Sequence, residues 1–363
     1  MSLRFLPTVI LGMCLAAAPV GAQGATWRVD AKPVVRIGTA ESASLSLAAP
    51  AGATRLGNGN IVVGDLAAYA LREFAPSGAL VKQYGRKGKG PGEIEYLAPL
   101  LRCGDVLVAN DITSAPSIFT LDGTFSRTFR LSPRPYRLAC NARVQFAIMG
   151  WAANRDMQAG AYRPNVAYWL ARADSAATVP LGTFPGGDRW MEGGGDRPLP
   201  LGREPQIAIG TSRVYIALGD PLEVLVFDLA GKPLPPLRVP ASRVRVTEAD
   251  VVAEREREIA SVGERARVSI ERSYAKIPMP ELLPTTRAIL VDAAEQVWVQ
   301  HYPRASSATV AWTVFGPDGR VRATASLPAA LEVYAIGSDY VLGRYIDPDD
   351  QIPEVRQYRL IKR

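Results

Sequence analysis

The chain has one histidine, three cysteines and, past its first residues, no long apolar run; these scarcities set the first limits. With His301 the single imidazole in 363 residues, a histidine-rich metal centre is excluded. No segment after the N-terminal one reaches the roughly 18 apolar residues of a membrane helix. The 42 Lys and Arg exceed the 35 Asp and Glu only modestly, and the surplus is scattered. Without a basic run, nucleic acid is not an expected partner. Neither a G-x-S-x-G nucleophile elbow nor an H-E-x-x-H zinc site occurs.

What is present at the N-terminus predicts export. Arg4 precedes an apolar stretch from Leu6 to Val20, and Val20-Gly21-Ala22 offers small residues for cleavage. Residues 1–22 therefore read as a signal peptide, and 23–363 as a single domain that ends up periplasmic or extracellular. Cys14 lies in LGMC, which approaches a lipoprotein box, but Met13 is bulky where a small residue is wanted. Export leaves Cys103 and Cys140, which in an oxidising compartment are expected to be bridged.

The stretch GRKGKGPGEIEY (85–96) raises the question of a phosphate site. Gly85 and Gly90 have P-loop separation, but Pro91 and Gly92 follow instead of Lys and Ser or Thr. Proline has no N–H to give a phosphate, and Glu93 stands where a dinucleotide fingerprint needs its third glycine. The loop is better read as a connection: glycines for a compact reversal, Pro91 for stiffness, Glu93 to accept backbone hydrogen bonds within the turn.

A short-strand pattern recurs along the chain. NGNIVVGD (58–65), GDVLVAND (104–111), SRVYIALGD (212–220), EQVWVQHY (295–302) and SDYVLGRY (338–345) each pass from a polar turn into four or five apolar residues. Second strands ending in an aromatic and a turn follow, as in SIFTLDG (117–123) and VLVFDLAG (224–231). Ile61 to Phe74, Val106 to Phe119 and Val214 to Phe227 are each 13 residues apart. Asp-Gly and Ser-Gly are hairpin signals because the turn residues must accept positive φ. Regular short strands of this kind predict an all-β repeat fold of four-stranded antiparallel units.

Such sheets bury their faces only by stacking around an axis. The expected architecture is a six-bladed β-propeller, with units beginning near Ala53, Leu97, Tyr136, Pro205, Thr286 and Leu331. The sixth lacks an outer strand, and WRVDAKPVVRIG (27–38) is a strand without a unit; pairing them would close the ring. Residues 246–278 break the pattern with helical composition, a Thr247–Asp250 capping pair, and Val252, Ile259, Val262, Ala266 and Ile270 at helical spacing. This is expected to be an insertion between the fourth and fifth blades, laid across a face or acting as a lid.

The repeats, together with GKGPGEI (88–94), resemble the NHL-like six-bladed β-propellers, in particular a secreted bacterial family with a GxGPGEF-type loop. Ile94 replaces the usual aromatic. The resemblance covers most of the mature chain and implies the fold, whereas propellers host binding and catalytic roles alike.

In such a fold the ends of second strands and the beginnings of first strands share one rim. The candidates there are Asp65, Asp111, Asp220 and Asp347, which would suit Ca²⁺ if they converged. With them come His301 and the arginines Arg55, Arg102, Arg137, Arg203 and Arg287, which suit anions. Cys103 and Cys140 stand at matching ends of neighbouring first strands, so a disulfide between blades two and three is predicted. The leading functional reading is a monomeric, non-catalytic binder of a protein, peptide or glycan at the channel-mouth rim, without a cofactor. The competing one is a metal-assisted hydrolase or lyase in the central channel.

Overall fold

The computed structural model describes residues 24–39, 46–111, 115–131, 135–151, 157–220, 222–305, 307–346 and 352–362. The expected signal segment with Cys14, and the candidate Asp347, lie outside them. The fold is a β-propeller of four-stranded antiparallel sheets. The first sheet comprises Pro50–Arg55, Ile61–Asp65, Ala70–Phe74 and Leu80–Tyr84. The second comprises Leu97–Cys103, Val106–Asp111, Ser117–Thr120 and Phe125–Thr128. The third is Arg137–Cys140, Gln145–Trp151, Asn165–Arg172 and Ser175–Pro185; the fourth is Gln206–Ile209, Arg213–Ala217, Glu223–Asp228 and Pro233–Arg238. In that last strand the consecutive Pro235 and Pro236 are tolerated because the strand is an edge.

Nine of the remaining strands form one assembly. It contains the antiparallel run Thr286–Val291, Val297–His301, Thr309–Phe315 and Val321–Pro328, and a second run of Leu331–Ile336, Tyr340–Ile346 and Pro353–Lys362. The N-terminal stretch, expected as one strand, is two, interrupted at Asp30–Val34, where Pro33 has no N–H to continue a ladder. Val35–Ile37 pairs antiparallel with Val355–Gln357, supplying the fourth strand of the second run. Ala25–Val29 pairs antiparallel with Leu360–Lys362 and parallel with Ala323–Ser326, so it stitches the two runs together.

Strand alternation builds the core. Because neighbouring side chains in a strand point to opposite faces, each central strand feeds two different clusters. Val62 packs with Leu97, Leu107 and Phe119 of the second sheet, whereas Ile61 and Val63 pack with Val35, Leu342 and Val355. Phe146 and Ile148 join Val108 and Ile118, while Ala147 and Met149 join Ile207, Val214 and Ile216. Tyr215 and Ala217 meet Ile289, Val297 and Val299, and Trp298 meets Leu331 and Val341. Each fully buried aliphatic or aromatic side chain contributes roughly 1.5–3 kcal/mol, so stability resides between sheets rather than within one. First strands also pack against one another in succession, with Pro50–Arg55 touching both Leu97–Cys103 and Leu331–Ile336.

The 13-residue spacing is a cross-strand pair in two sheets, Ile61 opposite Phe74 and Val214 opposite Phe227. In the second sheet the register differs by one, and Phe119 faces Leu107. Cys103 and Cys140 form a disulfide with Cα atoms 5.6 Å apart, joining the second and third sheets. No described helix is long and apolar enough to cross a membrane.

The 85–96 loop joins the first sheet's outer strand to the second sheet's first strand. Glu93 Oε2 accepts the Gly90 N–H at 2.8 Å, and Oε1 accepts Arg86 Nε at 2.8 Å. Ile94, buried beneath, exchanges backbone bonds with Arg86 and Gly88. Gly88 is required: a Cβ there would lie 2.0 Å from Glu93 Oε2, and its φ is +153°. The carboxylate caps its own loop and is not aimed at a phosphate.

Candidate functional site

Take as the upper end of each sheet the side where first strands begin and second strands finish. Asp65 lies opposite Pro50, Asp111 opposite Leu97, and His301 opposite Thr286, so all three stand at the upper end. Arg137, Arg203 and Arg287 lie at or before the start of first strands, at the same end. Arg55 and Arg102 do not. They pair with Ile61 and Leu107, the beginnings of second strands, and therefore stand at the lower end. The expectation that they share the rim is corrected, because both residues finish their strands rather than open them. There Arg102 Nη1 donates to the Arg55 carbonyl at 2.7 Å, and Arg55 lies over the Tyr340 ring at 5.0 Å.

The upper aspartates serve separate loops. Asp65 accepts Arg72 Nη1 at 2.9 Å in a buried pair and the Ala67 N–H at 3.2 Å. Asp111 accepts the Glu95 and Tyr96 N–H groups at 2.7 and 3.1 Å. Among the described residues no three His, Cys, Asp or Glu side chains converge as a metal site would require. His301 Nε2 is 2.8 Å from Thr313 Oγ1, and burial pushes its pKa down. Arg287 lies over the Tyr302 ring at 5.8 Å, and Arg137 donates to Glu204 at 3.1 Å.

Two upper-end structures were not visible as repeats. Gly160–Tyr162, Arg189–Glu192 and Gly195–Pro198 form a separate three-stranded sheet. The insertion folds as two helices, α1 (Glu248–Val262) and α2 (Arg267–Tyr274), broken at Gly263, whose φ of +99° ends the first. The predicted Thr247–Asp250 capping box is present. Ile259, Ile270 and Tyr274 bury against one another, whereas Val252 and Val262, expected on the same stripe, are exposed. Polar bridges hold the pair to the upper end. Glu258 receives Arg197 of the small sheet at 2.6 Å and Tyr274 Oη at 3.1 Å. Lys276 reaches Glu192 at 2.8 Å, and Asp250 receives the Ala305 N–H at 3.1 Å.

Between this small sheet and the segment leaving the insertion lies a cleft of about 520 Å³, within the usual range of ligand sites. Arg163, Asp188, Arg203, Asp220 and Arg243 meet there. Arg203 binds Asp188 through Nε and Nη2 at 2.8 and 2.9 Å and lies 3.6 Å from Asp220. Arg243 donates to the other oxygen of Asp220 at 2.8 Å. Arg163 donates instead to two backbone carbonyls, Gly186 at 2.8 Å and Leu218 at 2.7 Å. Its nearest carboxylate oxygen, on Asp188, is 3.9 Å away. Burial and the neighbouring Arg203 guanidinium push the Arg163 pKa down. Of these five residues only Arg203 and Asp220 were sequence candidates. The others sit in loops without the repeat pattern, and the one local signal was the turn-rich GGDR at 186–189.

No family model matches this chain, and no curated protein is similar to it. A solved structure from the DUF4221 family of Bacteroides vulgatus is similar in fold, with a TM-score of 0.55 at 8% identity. The match covers 94% of this chain and 100% of that one. Weaker likenesses are a calcium-binding protein, regucalcin, from Agrobacterium tumefaciens and a catalytically inactive virginiamycin B lyase from Staphylococcus aureus. The first has a TM-score of 0.40 at 9% identity over 93% of this chain and 97% of that one. The second has 0.41 at 10% over 85% and 94%. At these identities the likeness is one of fold and says nothing of activity.

Proposed function

We propose that residues 23–363 form one exported propeller of six blades, closed through the N-terminal strands, that binds a protein, peptide or glycan without transforming it. The ring closure is supported by the cluster in which Val35 and Ile37 pack with both Leu342 and Phe74. Export is supported by the disulfide, since such bonds persist in oxidising compartments. The observation that carries binding is the upper-end cleft, walled by the segment leaving the insertion and set with four arginines, two aspartates and a glutamate. Guanidinium groups in a half-open cleft recognise polar ligands by directed hydrogen bonds. Both aspartates are engaged by arginine, and His301, held to Thr313, is not among the lining residues. These engagements support binding over catalysis.

The test is capture on peptide and glycan arrays by the purified mature chain, followed by mass spectrometry of the ligand after prolonged incubation. Binding that Arg243→Ala weakens at least tenfold, with ligand recovered unchanged, is the expected result. A cleaved or eliminated product would establish the hydrolase or lyase instead, and capture indifferent to Arg243 would move the site elsewhere.

A further inference from the structure

We infer that the cleft takes the C-terminal carboxylate of a peptide whose last residues are apolar, a reading that rests on the cleft being the binding site. The argument begins with charge. Four guanidinium groups, Arg163, Arg189, Arg203 and Arg243, line the cleft with three carboxylates, Asp188, Asp220 and Glu281. Arg189 and Glu281 are paired outside it, to Asp196 and Arg245, which leaves three guanidinium groups against two carboxylates. Both aspartates are committed, Asp188 to Arg203 in a bidentate pair and Asp220 to Arg243. Arg163 only shares Asp188, at 3.9 Å and without a hydrogen bond to it. It is held by carbonyl dipoles, which orient it but supply no formal charge. Its side chain is 19% exposed, so water compensates it only in part.

One incoming carboxylate would balance this site, since a monoanion matches the excess of one. Arginine is suited to it, because its fork of donors meets the two oxygens of a carboxylate in a plane. Burial and repulsion from Arg203 already work against the charged form of Arg163, and a bound anion would offset the repulsion. A phosphate, carrying close to two charges at neutral pH, would overshoot.

The walls identify what carries the carboxylate. Leu199, Leu201, Met279, Pro280 and Leu283 line the cleft beside the arginines, with Leu201 and Leu283 buried. Tyr162 is the one aromatic among the lining residues, and its hydroxyl is bonded to Asp196 at 2.9 Å. An acidic sugar presents hydroxyls to the apolar part of these walls, at a desolvation cost. An apolar chain end offers surface that those walls can cover.

The experiment is isothermal titration of the mature chain with two pools of acetylated pentapeptides that end in apolar residues, identical except that one pool is free acid and the other amide. A uronate trisaccharide is the third probe. The free-acid pool is expected to bind, with the amide pool at least tenfold weaker and the trisaccharide silent. Arg163→Gln is expected to lose tenfold for the acid pool and little for the amide. Since Arg163 also holds two loops, Arg243→Gln at the exposed edge serves as the second variant, and thermal melts accompany both. Equal binding of acid and amide, both weakened by Arg243→Gln, would overturn the carboxylate while leaving the cleft as a site. Binding of neither pool, or of the trisaccharide in preference, would overturn the peptide. Peptide binding indifferent to both variants would overturn the cleft reading itself.

Discussion

Arg203 holds Asp188 at both carboxylate oxygens, through Nε at 2.8 Å and Nη2 at 2.9 Å, and its own backbone N–H adds a third bond at 2.8 Å. The Asp188 N–H returns a bond to the Arg203 carbonyl at 2.9 Å. The pair closes the 188–203 excursion, so the small sheet and the cleft wall depend on it. Asp188→Ala would remove the carboxylate that Arg203 hydrogen-bonds, leaving it Asp220 at 3.6 Å. Because Arg203 is 36% exposed, solvent screens the loss, and we expect about 2 kcal/mol rather than the ~3–5 of a fully buried pair. Urea unfolding of the variant beside the parent measures it.

Cys103–Cys140 closes a 37-residue separation. Chain-entropy arguments give about 4 kcal/mol for such a loop. The double variant Cys103→Ala/Cys140→Ala should unfold at correspondingly lower denaturant, and reductant should shift the parent but not the variant. An unchanged midpoint would show that packing between the two sheets carries the joint alone.

Acidification should weaken the protein partly through His301. Burial holds its pKa below the usual 6.5, so the unfolded chain takes up that proton at higher pH than the folded one. Stability from this group is complete above about pH 6.5 and declines as pH falls through the interval down to the folded value. His301→Gln should flatten that part of the stability–pH curve and leave the carboxylate-dependent part below it. Parallel curves for parent and variant would refute this assignment.

Gly88→Ala should open the 85–94 loop. The added methyl would collide with Glu93 Oε2, displacing the carboxylate from the Gly90 N–H and from Arg86. Faster amide exchange at Gly90 and Ile94, with exchange in the fourth sheet unchanged, is the expected signature. Glu93→Gln should produce a milder form of it, since the amide retains one acceptor oxygen.

The helical pair should loosen through Glu258. That carboxylate joins α1 to Arg197 and to Tyr274, while the apolar contacts of the pair are mostly internal. Glu258→Gln, or raised salt acting on these partly exposed ion pairs, should increase amide exchange across 248–274. Strands of the third and fourth sheets should be unaffected. If exchange there rises equally, the insertion is part of the propeller core and not an appended element.

Much of the fold could be read locally. Short apolar runs bounded by polar turns, as in IVVGD, VLVAND and RVYIA, placed strands because a central strand is buried on both faces. Thr247 with Asp250 marked a helix start because a cap is completed within four residues. The role of Glu93 in its own loop, and the bridge between Cys103 and Cys140, followed from similarly short-range or repeat-equivalent positions. The 13-residue spacing was less dependable: a one-residue difference in register moved Phe119 from Val106 to Leu107.

The site required the assembled molecule. Arg55 and Arg102 resemble Arg137 in belonging to first strands, yet they lie at the far end because they close those strands instead of opening them. Arg163, Asp188, Arg203, Asp220 and Arg243 span 80 positions of the chain. They meet because consecutive sheets deliver their upper loops to one place. Hydrogen-bond periodicity is written in neighbouring residues, so the sequence by itself determined the strands and their caps. Proximity across sheets depends on how whole units stack, so only the tertiary structure decided where charge collects.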